Sequence, residues 1–387
     1  MAEPGFSLEW PLRPEWIKST APVIQQTRAR PAMPNVNRVA FAMHNTELIN
    51  HYGPIMRKLA PAEYDIVYVA ANEAERREME SFAQGLGCNA VPAALALSEG
   101  RVYDAAVGVH YGSAGTAPDG APALFRLAVT QIRLMYSIGK DAWLFSDDNY
   151  HYNIILCFGP YHLNNLLPFT NAKKVSVGYP RFDNFFNNPP DRAAALKSMG
   201  LDPARETIVW LPTHGALCSV REFAKAIGEL SGEYNVAIKL HPLTAVSDPA
   251  SIAALEEAGL NNYFSGSFDN SNLFSIADYV IADYGGSSFG AIYTGKNLVL
   301  LDVAAAAGNE NITGESSSVE LRRWFPHYGA GEADKIRTAL QNKTLWSGQA
   351  KTSAALRDRF FAPHYGFSSD VAAMAIRNHR KITGAEK

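Results

Sequence analysis

Late in the chain the stretch "ADYGGSSFG" sets Asp283, Gly285, Gly286, Ser287 and Ser288 side by side between two apolar runs. Glycine lets a main chain approach a ligand closely, and a serine hydroxyl adds a short adjustable donor. Two more loops carry polar groups of similar use: Thr213, His214 and Gly215 after "TIVWLP", and Lys239 and His241 in "AIKLHP". Backbone N–H groups, hydroxyls and imidazoles gathered in one place suit an anion such as a pyrophosphate. Lys239 and His241 alternate along their run, so both can point to one face. Nearer the N-terminus, His44 in "AMHNTE" and His110 in "VGVHYGSAG" also follow apolar runs. Imidazole titrates near neutrality, which makes both candidates for proton transfer. Taken singly, a strand-end histidine is more often a loop residue with local bonds, and Gly-Gly-Ser-Ser more often only a turn. The convergence of three such loops is what points to a site.

These loops need a sheet to hold them. "YVIADYG" reads as a buried strand, "SSFGAIYTG" as a short helix closed by Gly295, and "NLVLLDV" as a second strand. Upstream, "RVAFAM", "YDIVYVA", "YDAAVGV", "NIILCFG" and "KVSVGY" are β-rich runs separated by helical stretches such as "EAERREMESFAQGLG". A second series follows: "TIVWLP", "YNVAIKLHP", "NYFSG", then the two strands already named. Alternation of this kind makes parallel sheets covered on both faces, and two series make two sheets. The break falls over residues 187–206, where a double proline, a polar helix and a Leu-Asp-Pro turn join the halves. The expected fold is therefore α/β, with two Rossmann-like domains facing across a cleft in the arrangement called GT-B. The expected divisions are an extended proline-rich arm over residues 1–37, with Trp10 and Trp16 docking it, and an N-terminal Rossmann-like domain over 38–195. A C-terminal Rossmann-like domain covers 196–365, and a helix over 366–387 packs back on the N-terminal domain. Ligands in such folds collect at the carboxyl ends of strands, where the three loops fall.

Bulk properties exclude several alternatives. With 387 residues, two domains are the default. A formal charge of −3 and the absence of any polybasic block give no footprint for nucleic acid. Three scattered cysteines, Cys88, Cys157 and Cys218, fit reduced thiols in a cytoplasmic protein. No apolar run approaches the ~20 residues of a membrane span, and no signal layout opens the chain, so it is expected to be neither exported nor membrane-spanning.

The order of "GYPRFDNFF", "TIVWLPTHGALCS", "AIKLHP", "NLFSIADYVIADYGGSSFGAIYTGKNLVLLD" and "HYGFSSDVAAMAI" resembles the CDP-glycerol glycerophosphotransferase family, which builds teichoic-acid-like and capsular polyol-phosphate polymers. The likeness runs over about half the chain. It implies a CDP-activated donor held by the C-terminal domain, with His241, Asp283, Gly285, Gly286, Ser287 and Ser288 near the pyrophosphate and Thr213 and His214 on the same cleft. It also implies in-line attack of an acceptor hydroxyl on the donor phosphorus, with CMP leaving. Such transfer rests on positioning and charge neutralisation. Lys239, and Lys140 or Arg181 from across the cleft, would offset phosphate charge. The acceptor would be a glycan or a lipid-linked polymer, and the protein would work in the cytoplasm, with peripheral contact at the inner membrane face left open. No DxD-type cluster is present, so no metal or other cofactor is inferred, and a Mg²⁺ travelling with the nucleotide stays open.

Departures from the family pattern are informative. Gly285-Gly286 stand where the family usually has Ser-Ser, and Gly290 where it usually has an acidic residue. The family's "WHG" followed by lysine becomes "YSIGK", which puts Tyr136 in place of the histidine and keeps Gly139 and Lys140. Tyrosine, with a reference pKa of about 10, is a poor base near neutrality. The expected base is therefore His110 first and His44 second, with His214 and His241 as donors to phosphate oxygens. Three other readings stay open: a glycosyltransferase using a nucleotide sugar, a non-hydrolysing UDP-sugar 2-epimerase-like enzyme, and a binding protein that kept the cleft without its chemistry.

Overall fold

The apolar runs are strands, and they pair in parallel throughout. In this computed structural model, residues 31–139, 141–309, 312 and 316–385 are described. Seven strands make the first sheet: β1 (Val36–Met43), β2 (Tyr64–Tyr68), β3 (Asn89–Pro92), β4 (Tyr103–Gly108), β5 (Ala128–Leu134), β6 (Ile154–Cys157) and β7 (Lys173–Ser176). Their order is β3-β2-β1-β4-β5-β6-β7. Six make the second: β8 (Thr207–Leu211), β9 (Asn235–Lys239), β10 (Tyr263–Phe264), β11 (Tyr279–Ala282), β12 (Asn297–Asp302) and β13 (His327–Gly329), in the order β10-β9-β8-β11-β12-β13. Helices cover both faces, so β2, β8 and β11 are buried at every position and are mostly apolar, with Asp65 of β2 satisfied by Arg38, Asn89 and Tyr103. The fold is α/β of the GT-B kind.

Each sheet reverses direction of growth once, between β1 and β4 in the first and between β8 and β11 in the second. At such switch points the connections leave on opposite sides and open a crevice at the carboxyl ends. The crevice of the second sheet holds the loops after β8 and β11.

Several strands escape the apolar pattern, β7 with its two lysines among them. β3 and β13 are short edge strands, and β5 carries Gln131 and Arg133 in its middle. Arg133 is buried because carbonyls satisfy it: Nε donates to Val109 O at 3.1 Å and Nη1 to Leu144 O at 3.2 Å. The long helix Glu73–Leu86 matches its sequence signals, with Asn72 capping the N-H of Glu75 and Gly87 closing it at φ 72°.

Most of the arm, including Trp10 and Trp16, lies outside the described residues, and β1 already starts inside the segment assigned to it. Helix Arg192–Ser198 belongs with the second sheet, where Arg192 meets Asp278 at 2.5 Å. After the second sheet the chain returns to the first. Helix Ser368–Arg377 buries Ala372, Ala373 and Ile376 against Phe41, Ile66 and Val107. Asp183 accepts from the N–H groups of Ser368 (3.0 Å) and Ser369 (2.6 Å), and Arg377 pairs with Glu63 at 2.8 Å.

The return passes close to Gly159, where Ala362 N–H donates to Phe158 O at 2.8 Å. A Cβ at Gly159 would strike the backbone of Phe361 and Ala362. Backbone cannot rotate aside as a side chain can, so Gly159→Ala is expected to destabilise the protein by more than ~2 kcal/mol. Urea unfolding checks this, and a loss below ~0.5 kcal/mol would show that the crossing is not tight.

Candidate functional site

A cavity of about 160 Å³ lies between the two sheets. The second domain contributes Thr213, Lys239, His241, Asn270 and the loop of Gly285, Gly286 and Ser287. Opposite them stand Tyr136 and Ser137 after β5, Arg181, and Glu47 and His51 at the start of helix Leu48–Met56. The domains touch around it: Asn50 Nδ2 donates to Ser267 O at 2.8 Å, and Asp141 accepts from Ser317 N–H at 2.6 Å.

On the second domain, helix Ser287–Thr294 starts at Gly286 and ends at Gly295, whose φ is 70°. The N–H groups of a first helical turn have no partner inside the helix, and here that turn opens on the cavity. An added Cβ on Gly286 would come within 2.6 Å of Ser137 Oγ from the other domain, so glycine permits the close approach. Asp283 plays a different part from the one read in the sequence. It is buried, and its carboxylate accepts from Thr213 N–H (3.0 and 2.9 Å) and Ser219 N–H (3.1 Å), tying the loop after β8 to β11. Burial pushes its pKa up to about 6, against the lowering effect of those bonds. Ser288 is buried behind the loop, and only Ser287 of the serine pair lines the cavity.

His241 caps the short helix that follows it, its Nδ1 accepting from Leu243 N–H at 3.2 Å. The ring of His214 packs on it at 4.2 Å between centroids, set back from the cavity lining. Lys239 donates to Leu240 O at 2.9 Å, and desolvation lowers its pKa while Glu47 and Asp269 act against that.

Arg181 is the charge at the centre. Its Nη1 meets Glu47 Oε1 at 2.9 Å and His51 Nε2 at 3.1 Å, and its Nε lies 3.4 Å from Asp269 Oδ1 of the second domain. A guanidinium has no acceptor, so His51 Nε2 accepts and the imidazole is neutral. Desolvation first and Arg181 second hold the His51 pKa well below its usual value. Tyr136 lies edge-on to His51, with centroids 5.5 Å apart, and burial raises its pKa. An imidazole thus stands beside the tyrosine, supplied from a helix rather than from the Tyr136 loop. Glu47 Oε2, Arg181 Nη2 and Asn270 Oδ1 are buried with no partner among the described residues.

His44 and His110 are brought together, but with each other. They follow β1 and β4 at the switch point of the first sheet, with Nε2 atoms 3.3 Å apart, and neither lines the cavity. His110 Nδ1 accepts from Gly112 N–H at 3.1 Å, so Nε2 carries the proton and faces His44. Desolvation, then His44 and Arg133, push the His110 pKa down to about 4, and desolvation also lowers that of His44. The expectation of His110 as cavity base therefore gives way to a paired, half-buried imidazole. Lys140 lies outside the described residues. Sequence reading missed Glu47, His51, Ser137, Asp269 and Asn270. The four-residue spacing of Glu47 and His51, one helical face, was the available signal. Among the described residues no group of three or more His, Cys, Asp or Glu is placed to hold a metal ion.

Two parallel sheets with a polar, glycine-lined cavity between them have the arrangement of a GT-B fold with a ligand site in its cleft. Residues 161–290 match the model of the CDP-glycerol:poly(glycerophosphate) glycerophosphotransferase family. The resemblance read from the sequence is borne out by that match, which spans about a third of the chain and supports a transferase. No curated protein matches it in sequence. Among solved structures it is similar to the wall teichoic acid polymerase TagF, at 14% identity, TM-score 0.58, and coverage of 92% of this chain and 91% of that one. A TagF variant soaked with CDPG gives 15% identity, TM-score 0.59, and 91% and 90% coverage. A UDP-N-acetylglucosamine 2-epimerase gives 13% identity, TM-score 0.54, and 89% and 96% coverage. At these identities the likeness to solved structures concerns the fold.

Burial of imidazoles has a consequence for acid stability. His44, His51, His110 and His162 all have folded pKa values below the free value of about 6.5. The unfolded chain takes up these protons first, so stability falls as pH drops from about 6.5 toward the depressed values. Asp283 has the opposite sign, because its folded pKa is raised and the folded state takes up its proton first. Burial raises the pKa values of Asp148, Asp183 and Glu320 in the same direction, but carboxyls ordinarily titrate at about pH 4, below the range considered, so the four imidazoles dominate it. The urea midpoint is expected to fall steadily from pH 7 to pH 5, and an unchanged midpoint would mean that the imidazoles are not held neutral.

Proposed function

We propose that this protein transfers a polyol-phosphate, of the glycerol- or ribitol-phosphate type, from a CDP-activated donor to a hydroxyl of a cell-surface glycan or polymer, releasing CMP. The observation that carries the reading is the cavity between the domains. A helix start with Gly285, Gly286 and Ser287 faces two buried cations, Arg181 and Lys239, across a space sized for a phosphate-bearing group. The unpartnered acceptors Glu47 Oε2 and Asn270 Oδ1 suit a ligand that also carries hydroxyls. The match to the glycerophosphotransferase model covers this donor loop. Ser287, Ser288 and Phe289 after the glycines also favour this reading over an epimerase-like one, for which carboxylates are expected there. No helix among the described residues is long and apolar enough to cross a membrane. The enzyme works on the cytoplasmic side, at the inner membrane face where its acceptor is lipid-linked.

Incubation with CDP-glycerol, CDP-ribitol and common UDP-sugars, followed by measurement of released nucleotide, tests this reading. CMP from a CDP-polyol is the expected result, and UDP from a UDP-sugar alone would overturn it. At the donor seat, Gly286→Val should weaken CDP binding by at least tenfold, ~1.4 kcal/mol, because the new side chain fills the approach between the loop and Ser137. Unchanged calorimetric affinity would remove this loop from the donor site.

A further inference from the structure

Glu47 and Arg181 are joined by one bond where two are usual. A carboxylate and a guanidinium tend to pair fork to fork, with both oxygens taken. Here Nη1 alone reaches Glu47 Oε1, and that same nitrogen also meets His51, while Nε turns to Asp269. Among the described residues, one acceptor, Glu47 Oε2, and one donor, Arg181 Nη2, are left buried and unpartnered on side chains that line the same cavity. A buried polar atom without a partner costs about 1–3 kcal/mol, so a matched pair of them marks where a ligand completes the bonding. The ligand must offer a proton and an anionic oxygen close together. A hydroxyl attacking a phosphoryl group offers that combination.

Resting on the transferase reading above, we propose that Glu47 is the proton acceptor for the attacking hydroxyl and that Arg181 Nη2 holds a non-bridging oxygen of the phosphoryl group under attack. Other groups of the lining are engaged elsewhere. His51 Nε2 gives its lone pair to Arg181, and the Tyr136 hydroxyl is pushed above its usual range by burial. His241 Nδ1 accepts from Leu243 N–H, and the Asp269 carboxylate takes Ser271 N–H (3.0 Å), Ser271 Oγ (2.5 Å) and Arg181. A carboxylate is basic enough, since phosphoryl transfer passes through a loose transition state and an aspartate serves the same purpose in protein kinases. In the step, the acceptor O–H gives its proton to Glu47 and its oxygen pair forms the new P–O bond. The P–O bond to CMP breaks with its pair kept by CMP, and the proton passes from Glu47 to solvent. Glu47 thus fills the place that Tyr136 leaves without a base.

Glu47→Gln keeps the size of the side chain and an oxygen for Arg181 Nη1. It should lower kcat for CMP release by at least ~10²-fold while the calorimetric Kd for the donor stays within about threefold, as expected for loss of a general base. In Glu47→Ala, added formate should restore part of the turnover, because a small carboxylate can take the vacated position. Glu47→Gln turnover within about threefold of wild type overturns the proposal. So does a loss of donor affinity in step with turnover, or an inactive Glu47→Ala that formate does not restore while its melting temperature matches wild type. Should Glu47→Ala not fold, Glu47→Asp decides: retraction by one methylene should lower kcat without changing Kd, and wild-type kcat overturns the assignment. If the wild-type protein releases no CMP from any CDP-polyol, the donor reading fails on its own, and the same variants are compared on the nucleotide donor it does use.

Discussion

A guanidinium buried between two domains constrains everything around it. Arg181 is 7% exposed, and a charge so placed costs several kcal/mol unless it is paired and hydrogen-bonded. Its partners come from both sides: Glu47 and His51 from the first domain, Asp269 from the second. The two domains must therefore sit close enough for two groups of one helix and a carboxylate of the other domain to converge on one side chain. Residues next to it in sequence reinforce the same closure. Tyr179 stacks on Phe158 at 4.1 Å, Phe182 meets Phe274 of the second domain at 5.3 Å, and Asp183 anchors the returning C-terminal helix.

This closure accounts for a departure from the family pattern. A Cβ at Gly290 would come within 2.9 Å of Phe274 and 3.0 Å of Phe182, so an acidic side chain has no room there. Aromatic packing across the domain boundary occupies the space instead. Gly286 obeys a similar limit toward Ser137. Glycine at these two positions thus permits the close approach of one domain to the other.

Much of the architecture was legible because a strand buried on both faces must be apolar and a loop at its carboxyl end need not be. That contrast exposed β8, β9 and β11 and the loops bearing Thr213, His241 and Gly285. It failed for β5, where Arg133 finds carbonyl partners that no local pattern announces. The first-domain half of the site was misread for a related reason. His44 and His110 follow strands and stand out by position, yet they bond to each other. Glu47 and His51 sit at the start of a helix, and their importance depends on Arg181, more than a hundred residues away. Asp283 stood in the right motif, but its carboxylate is taken up by backbone N–H groups. Motif and strand end located the loops that line the cavity, whereas the charged network arises from tertiary contacts.

Charge balance in the cleft links that network to the chemistry. Glu47 and Asp269 oppose Arg181 and Lys239, so the cavity is close to neutral before any ligand arrives. Burial has already disfavoured the charge on Lys239, and an incoming pyrophosphate would restore the balance by standing beside both cations. In the transferase reading, negative charge then spreads over the phosphoryl oxygens as the bond to the nucleotide loosens. Proton uptake by Glu47 at that moment removes one negative charge from the cluster, leaving Arg181 less neutralised and better able to hold the oxygens it faces. The pair that keeps Arg181 buried in the resting protein would thus favour the transition state over the bound donor, the difference on which catalysis depends.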